Sequence, residues 1–267
     1  MKIGLVGCGS VGSEIARSIK SGKLRLRLAC VCDIDSQRAA SFAEKYSTRA
    51  VTFRKMLSLP LDLIVEAASP SAARECVPAA LAKGKSVMMM STGALVDKAL
   101  LSKICSIAAK KCCKIHIPSG AIVGLDGVKS ADGELSRVTL RTTKPPSSLS
   151  GAPFFKKSKI RLEKIRKPTL IYDGSAAEAV KLFPFNVNVA ASLSLVGVGA
   201  KKTHVQIMAD PNIKANIHEI SAEGSFGKIK TRAENVPSPQ NPKTSHLAAL
   251  SAIALLRRIS EPLQVGT

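Results

Sequence analysis

The chain has 267 residues, 45% of them hydrophobic, and carries 40 Lys+Arg against 19 Asp+Glu for a formal net charge of +21. That length suffices for one large or two modest domains with real cores, and no unbroken apolar run approaches membrane-spanning length. Seven cysteines (Cys8, Cys30, Cys32, Cys76, Cys105, Cys112, Cys113) without a CxxC pair argue for reduced, packed thiols and against a disulfide framework or a zinc site, so no metal is expected.

The first 120 residues alternate strand and helix signals. KIGLVG (2–7) reads as a buried strand and VGSEIARSIKSG (11–22) as a helix with a glycine stop. LRLACVCD (26–33) is a second strand, SQRAASFAEKY (36–46) a helix, and RAVTF (49–53) a short third strand. DLIVEAAS (62–69) is a fourth, followed by PSAARECVPAALAKG (70–84), a helix opened by proline and closed by glycine. SVMMMS (86–91), the helical VDKALLSKICSIAAKKC (96–112) and KIHIPS (114–119) complete six strands with helical crossovers. This is the α/β pattern of a doubly wound parallel sheet with both faces covered.

After SGAIVGLDG (119–127) the texture changes. RVTLRTTK (137–144), IRLEKI (160–165), THVQIMAD (203–210) and GSFGKIKTRA (224–233) read as strands, and PPSSLSGAP (145–153) as a loop without regular structure. Residues 176–199 are helical stretches interrupted at Pro184, and 209–227 is a polar segment linking two strands. Clustered strands with one or two helices predict a smaller α+β domain on a mostly antiparallel sheet. NPKTSHLAALSAIALLRRI (241–259) reads as a helix whose apolar face needs a partner. The expected organisation is a first domain over 1–120, completed by the C-terminal helix within 240–267, and a second over 121–239.

GCGSVG (7–12) fits G-x-G-x-x-G, with Gly7 for the tight turn, Gly9 for close backbone approach to a pyrophosphate and Gly12 for helix–strand packing. Alone the pattern is weak. Here it follows a strand, opens a helix, and is answered by Asp33 about 20 residues after Gly12, as a dinucleotide site requires. The turn Gly7, Gly9, Ser10, Val11 and Gly12 is therefore read as a cofactor turn of a Rossmann domain, the helix N-terminus supplying amides for the phosphates. Asp33 would accept from the ribose hydroxyls, which favours NAD, while Arg38 lies close enough to tolerate a 2′-phosphate; NAD and NADP both stay open. Ala68 and Ser69 end the fourth strand and Thr92 follows the fifth, the carboxyl ends where ligands lie in open α/β sheets. Ordinary loop and cap chemistry is the competing reading for all three.

Among the four histidines, His116 and His204 fall on strands and read as structural, and His246 as a surface or cap residue. His218 lies in the polar linker, and spacing alone does not single it out. The basic excess has three readings: steering of anionic small molecules, a lysine-rich surface, and nucleic-acid binding. Nucleic acid ranks last, because two Tyr, seven Phe and no Trp leave little for base stacking. The start MKIGLVG lacks a charged n-region, h-region and cleavage site, which leads to the expectation of a cytoplasmic protein.

Taken in order, IGLVGCGSVGSEIA, EAASPSA, PSGAIVGLDG, FPFNVNVAASLSL, ADPNIKANIHEISAEGSFG and NPKTSHLAALSAIALLR resemble the L-aspartate dehydrogenase family along the whole chain. The resemblance implies a Rossmann domain coupled to an α+β domain that shapes the active site and helps form a homodimer or larger homo-oligomer. It implies reversible, NAD(P)-dependent oxidation of L-aspartate to iminoaspartate, which hydrolyses to oxaloacetate and ammonia or supplies NAD biosynthesis. By the match to NIHEI the family's catalytic histidine falls on His218. Its cofactor contacts fall on Ala121 and Asn188, with Asn186 a neighbour. The substrate's two carboxylates need cationic or amide anchors, for which Lys243, Thr244 and Ser245 are candidates; a helix N-cap would also explain that tripeptide.

Two other classes compete. A two-domain reductase of the dihydrodipicolinate reductase or homoserine dehydrogenase type would need a clustered-histidine, lysine-rich motif or extra length, and neither is present. A non-enzymatic NAD-sensing regulator would need a DNA-binding module, for which no segment has room.

Overall fold

The computed structural model describes residues 1–184, 188–238 and 241–266, with the backbone alone described at residues 157 and 241–244. The chain divides into two compact units, Met1–Pro118 with Ala249–Val265, and a second whose body is Ser119–Ala248.

The first unit runs β1 (Lys2–Val6), α1 (Ser10–Lys20), β2 (Arg27–Cys32), α2 (Ser36–Lys45), α3 (Phe53–Ser58), β3 (Leu63–Glu66), α4 (Pro70–Ala82), β4 (Ser86–Met89), α5 (Lys98–Lys110) and β5 (Ile115–His116). Its five strands pair in parallel in the order β2-β1-β3-β4-β5. Ile3, Leu5, Val31, Leu63, Val65 and Met88 are buried in the sheet, as near-continuous apolar strands covered on both faces must be. Ala252, Ile253 and Leu256 of the C-terminal helix (His246–Ser260) join the same core as Ile3 and Leu5.

The expected third strand, 49–53, is a single parallel bridge between Val31 and Ala50. What ends it is local. The Thr52 hydroxyl accepts the Lys55 N–H and caps α3, whose Met56 is fully buried. Of the seven cysteines, Cys8, Cys30, Cys32 and Cys76 are buried, but Cys105 and Cys112 are exposed on and after α5.

The second unit runs α6 (Leu125–Ser130), β6 (Leu135–Lys144), α7 (Pro146–Leu149), α8 (Phe154–Lys157), β7 (Thr169–Ser175), α9 (Ala176–Leu182), α10 (Asn188–Val196), β8 (His204–Ala209), β9 (Asn216–Gly224), β10 (Gly227–Asn235), β11 (Pro237–Ser238) and β12 (Asn241–Ser245). The main sheet has the order β10-β9-β6-β8-β7 and is antiparallel except for the β6–β8 pair. One face buries Val138, Leu140, Ile220, Ala222, Val205 and Ile207 under Ala179, Phe183, Ala190 and Leu193. The other carries polar contacts such as Arg232 with Glu219 and Arg141 with Gln206.

Several local expectations give way here. The segment 145–153 holds the helical turn α7, with Leu149 and Ala152 buried, and Phe154 stacks on Phe183 with centroids 5.0 Å apart. IRLEKI is a 3-10 turn at Leu162–Lys164; its apolar residues pin a loop to the core rather than alternate across a sheet. Residues 241–245 pair with β11 instead of starting the C-terminal helix, which begins at His246. The segment 209–227, expected as a linker, contains the nine-residue strand β9, which pairs on both edges. Backbone pairing at the centre of a sheet overrides its polar composition.

Candidate active site

The first unit's site is built from backbone. Gly7 follows β1 with φ +100, where an added Cβ would lie 2.6 Å from the Ala67 carbonyl oxygen. At Gly12 a Cβ would meet the Gly7 carbonyl oxygen at 2.3 Å, so α1 can press against the turn only through a glycine. At Gly9 a Cβ would meet nothing within 4 Å. Two glycines shape the turn, and the third faces open space.

Helix capping singles out the same place. Helices α2 to α5 each start on a side chain that accepts a first-turn N–H: Asp35 from Arg38, Thr52 from Lys55, Ser69 from Ala72, and Asp97 from Ala99 and Leu100. α1 starts on Gly9 with no side-chain cap and no acidic residue in its first turn. First-turn amides at Ser10, Val11 and Gly12 beside open space fit a pyrophosphate, which would cap the helix and interact with its positive end.

Asp33 follows β2 and braces this turn. Its Oδ2 accepts the Cys8 N–H at 2.8 Å, its Oδ1 accepts the Asp35 N–H at 3.0 Å, and Arg38 Nη1 lies 3.6 Å from Oδ1. The neighbouring Ile34 is fully exposed, an apolar surface beside the turn that sequence reading passed over. Burial and the Asp33 charge push the Cys8 thiol up to about 12, so it stays a packed thiol.

Glu66, also missed from sequence, ties the next two strand ends together. It is fully buried at the end of β3; Oε1 accepts the Ala68 N–H at 2.9 Å and the Ser91 hydroxyl at 2.7 Å, and Oε2 the Ser91 N–H at 3.0 Å. Burial raises its pKa, while the Ser91 and Ala68 hydrogen bonds oppose that shift. The result fixes Ala68 and Ser69 after β3 relative to the buried Thr92 after β4.

The second unit's site is built from side chains on one sheet face. Along β6 the buried parity runs Val138, Leu140, Thr142, Lys144; along β9 it runs Ala222, Ile220, His218, Asn216. Val138 pairs with Ala222, Leu140 with Ile220, and Thr142 with His218. The face is apolar at one end and polar at the other. Thr142 Oγ1 is 3.0 Å from His218 Nδ1, and His218 is 3% exposed. Burial first, and the Lys144 charge second, lower the His218 pKa to about 3, so its imidazole is neutral.

Lys144 is 4% exposed, and burial lowers its pKa to about 8. Asn216 is 1% exposed, with neither Nδ2 nor Oδ1 hydrogen-bonded among the described residues. A buried amide left so costs roughly 1–3 kcal/mol per unmatched group. Asn235, across from Asn216 on β10, donates from Nδ2 to the Ala121 carbonyl at 3.0 Å and so holds the 119–124 segment.

Of the other expected site residues, Asn188 is exposed at the start of α10, and Ser245 is buried in β12. Asn186 lies outside the described residues, as do the side chains of Lys243 and Thr244. His204 Nε2 sits 3.0 Å from Asp173 Oδ1, and His116 is half-buried in β5. Among the described residues, no group of three or more His, Cys, Asp or Glu could hold a metal ion.

Comparison with known proteins agrees with both units. A family model described as the C-terminal part of aspartate dehydrogenase matches residues 126–259, and one described as the NAD binding domain of homoserine dehydrogenase matches residues 7–118. The chain is 49% identical to an L-aspartate dehydrogenase of Methanosarcina mazei, with all of both chains covered. It is 50% identical to one of Methanocella arvoryzae, covering 100% of this chain and 99% of that one. The crystal structure of aspartate dehydrogenase from Thermotoga maritima superposes with a TM-score of 0.78 at 27% identity, over 100% of this chain and 99% of that one. Full-length identity of this order, joined to a glycine turn in one unit and a buried histidine row in the other, means that the chain belongs to the aspartate dehydrogenase family.

Proposed function

We propose that the protein oxidises L-aspartate to iminoaspartate with NAD or NADP, the imine then hydrolysing to oxaloacetate and ammonia. The full-length identity to L-aspartate dehydrogenases carries this reading. Bound NAD or NADP supplies the acceptor for the hydride that leaves the substrate Cα. Gly7, Gly9, Ser10, Val11 and Gly12 hold its pyrophosphate, Asp33 its ribose, and Ile34 offers an apolar surface for its adenine. Ala68, Ser69, Thr92, Ala121 and Asn188 are its further contacts.

His218 is the base. With Nδ1–H donating to the Thr142 hydroxyl, Nε2 is the unprotonated nitrogen, and it takes a proton from the substrate amino group as the Cα–H bond breaks. Nε2 passes that proton to the imine nitrogen, takes one from the water that adds to the imine carbon, and returns it to the nitrogen, which leaves as ammonia as the new hydroxyl loses its proton and becomes the carbonyl. A neutral imidazole suits that task, because a protonated ring cannot accept. Ser245, Lys243 and Thr244 remain candidates for the substrate's carboxylates.

The reading extends to a cytoplasmic homodimer or larger homo-oligomer that binds neither nucleic acid nor membrane, and to a supply of iminoaspartate for NAD biosynthesis. Among the described residues, no helix is long and apolar enough to cross a membrane. The deciding experiment is a panel of L-amino acids assayed with both cofactors, followed by the ultraviolet absorbance of reduced nicotinamide. Aspartate is expected to be the preferred substrate; a protein inert to aspartate but active on another amino acid overturns the reading.

A further inference from the structure

The polar end of the second unit's sheet holds more than the base needs. One step beyond the paired Thr143 and Ile217, the register sets Lys144 of β6 across from Asn216 of β9. Both side chains lie on the parity of Thr142 and His218, and both are almost wholly buried. The row formed by Lys144 and Asn216 therefore lies directly beside the row formed by Thr142 and His218.

Neither residue type follows from the apolar packing of this face. The same parity further along both strands is filled by Val138, Leu140, Ile220 and Ala222, which pack the core without a polar atom. An aliphatic residue at 144 or 216 would continue that pattern. Asn216 instead brings a donor and an acceptor that nothing among the described residues meets, and native proteins rarely leave both ends of a buried amide unmatched. Lys144 brings a cation into the same space, where burial strengthens its pull on any anion. A cation next to an amide N–H is the donor set that a carboxylate takes up with its two oxygens. Asn216 Oδ1 is left to accept from a donor such as an amino group.

We propose that Lys144 and Asn216 form a carboxylate anchor of the substrate site, Lys144 supplying the ammonium and Asn216 the amide N–H, next to the His218 base. This rests on the reading of the protein as an amino-dicarboxylate dehydrogenase. It gives one of the two carboxylates to residues of the sheet and leaves the 243–245 segment as candidates for the other. The anchor also acts on the base: the Lys144 charge disfavours a proton on His218, and a carboxylate seated on Lys144 offsets that charge when the base must work.

The test uses the full chain with NAD and succinate, a dicarboxylate that lacks the amino group and cannot be oxidised. Succinate is expected to compete with L-aspartate on the wild-type protein. In Lys144→Met and Asn216→Asp its affinity should fall by about 10- to 100-fold, with a matching rise in KM for aspartate. NAD titration of each variant serves as the control for folding. Asn216→Asp is isosteric and keeps Lys144, so it tests the anchor without removing the buried charge. Variants that bind NAD and keep wild-type succinate affinity overturn the anchor. Wild-type protein that binds succinate but leaves aspartate unoxidised overturns the proposed reaction instead, so the two failures read out separately.

Discussion

In the proposed function the two units recognise their ligands by opposite means. In the first, the turn after β1 works through what is missing: Gly7 and Gly12 leave room for backbone to approach backbone, and Gly9 leaves an uncapped helix end facing open space. In the second, the face of β6 and β9 works through what is present: a hydroxyl, an imidazole, an ammonium and an amide buried in two rows. Backbone amides read the phosphates that all dinucleotides share. Side chains read the groups that distinguish one small substrate from another, so the proposed site puts the specificity of the reaction in the second unit.

This contrast predicts that substitutions separate cleanly. The largest effect is expected at Gly12→Val, where the side chain collides with the Gly7 carbonyl; stability should fall by about 3 kcal/mol or more, seen as a lower Tm together with loss of cofactor binding. Next comes Lys144→Met, with the opposite sign. The Lys144 pKa is about 8 in the fold against an ordinary lysine value of 10.5, so burying the charge opposes folding fully below pH 8 and not at all above 10.5. The variant should be more stable than wild type by up to about 3 kcal/mol at neutral pH, with the gap closing as pH rises through that window in chemical denaturation. A gain in stability coupled to a loss of aspartate binding would mark a residue kept for function.

Gly9→Val sharpens the comparison further. A Cβ there meets nothing within 4 Å, so Tm should move little, while NAD affinity falls by roughly 10- to 100-fold. If stability and cofactor affinity fall together there, Gly9 is a structural glycine like the other two. The smallest effect is expected at Thr142→Val, which removes the hydroxyl that engages His218 Nδ1; kcat should drop about tenfold with NAD affinity unchanged. An unchanged kcat would mean that packing alone orients the ring.

The same contrast explains what the sequence made legible. The strand, glycine turn, helix and Asp33 lie within 33 consecutive residues, and local signals sufficed to read them as one device. Thr142 and His218 are 76 residues apart and meet only through strand register, so no spacing rule connects them. Sequence reading put His218 in a linker because ADPNIKAN is polar, although HEISA (218–222) carries the alternation of a strand. Lys144 offered a signal of its own, since it continues the buried parity of Val138, Leu140 and Thr142, where a lysine is out of place. Glu66 gave a weaker one, as the acid ending the apolar run LIVE. The failed strands at 49–53 and 160–165 share one cause: short alternating runs also describe a loop with one or two apolar anchors, and only a pairing partner decides between them.

His218→Ala, assayed for turnover and for NAD binding on the same preparation, tests the division of labour most directly. The account predicts that kcat with L-aspartate falls by roughly two to four orders of magnitude while NAD affinity stays within about twofold of wild type. An alanine variant that retains full turnover, or one that loses turnover and cofactor binding together, would contradict it.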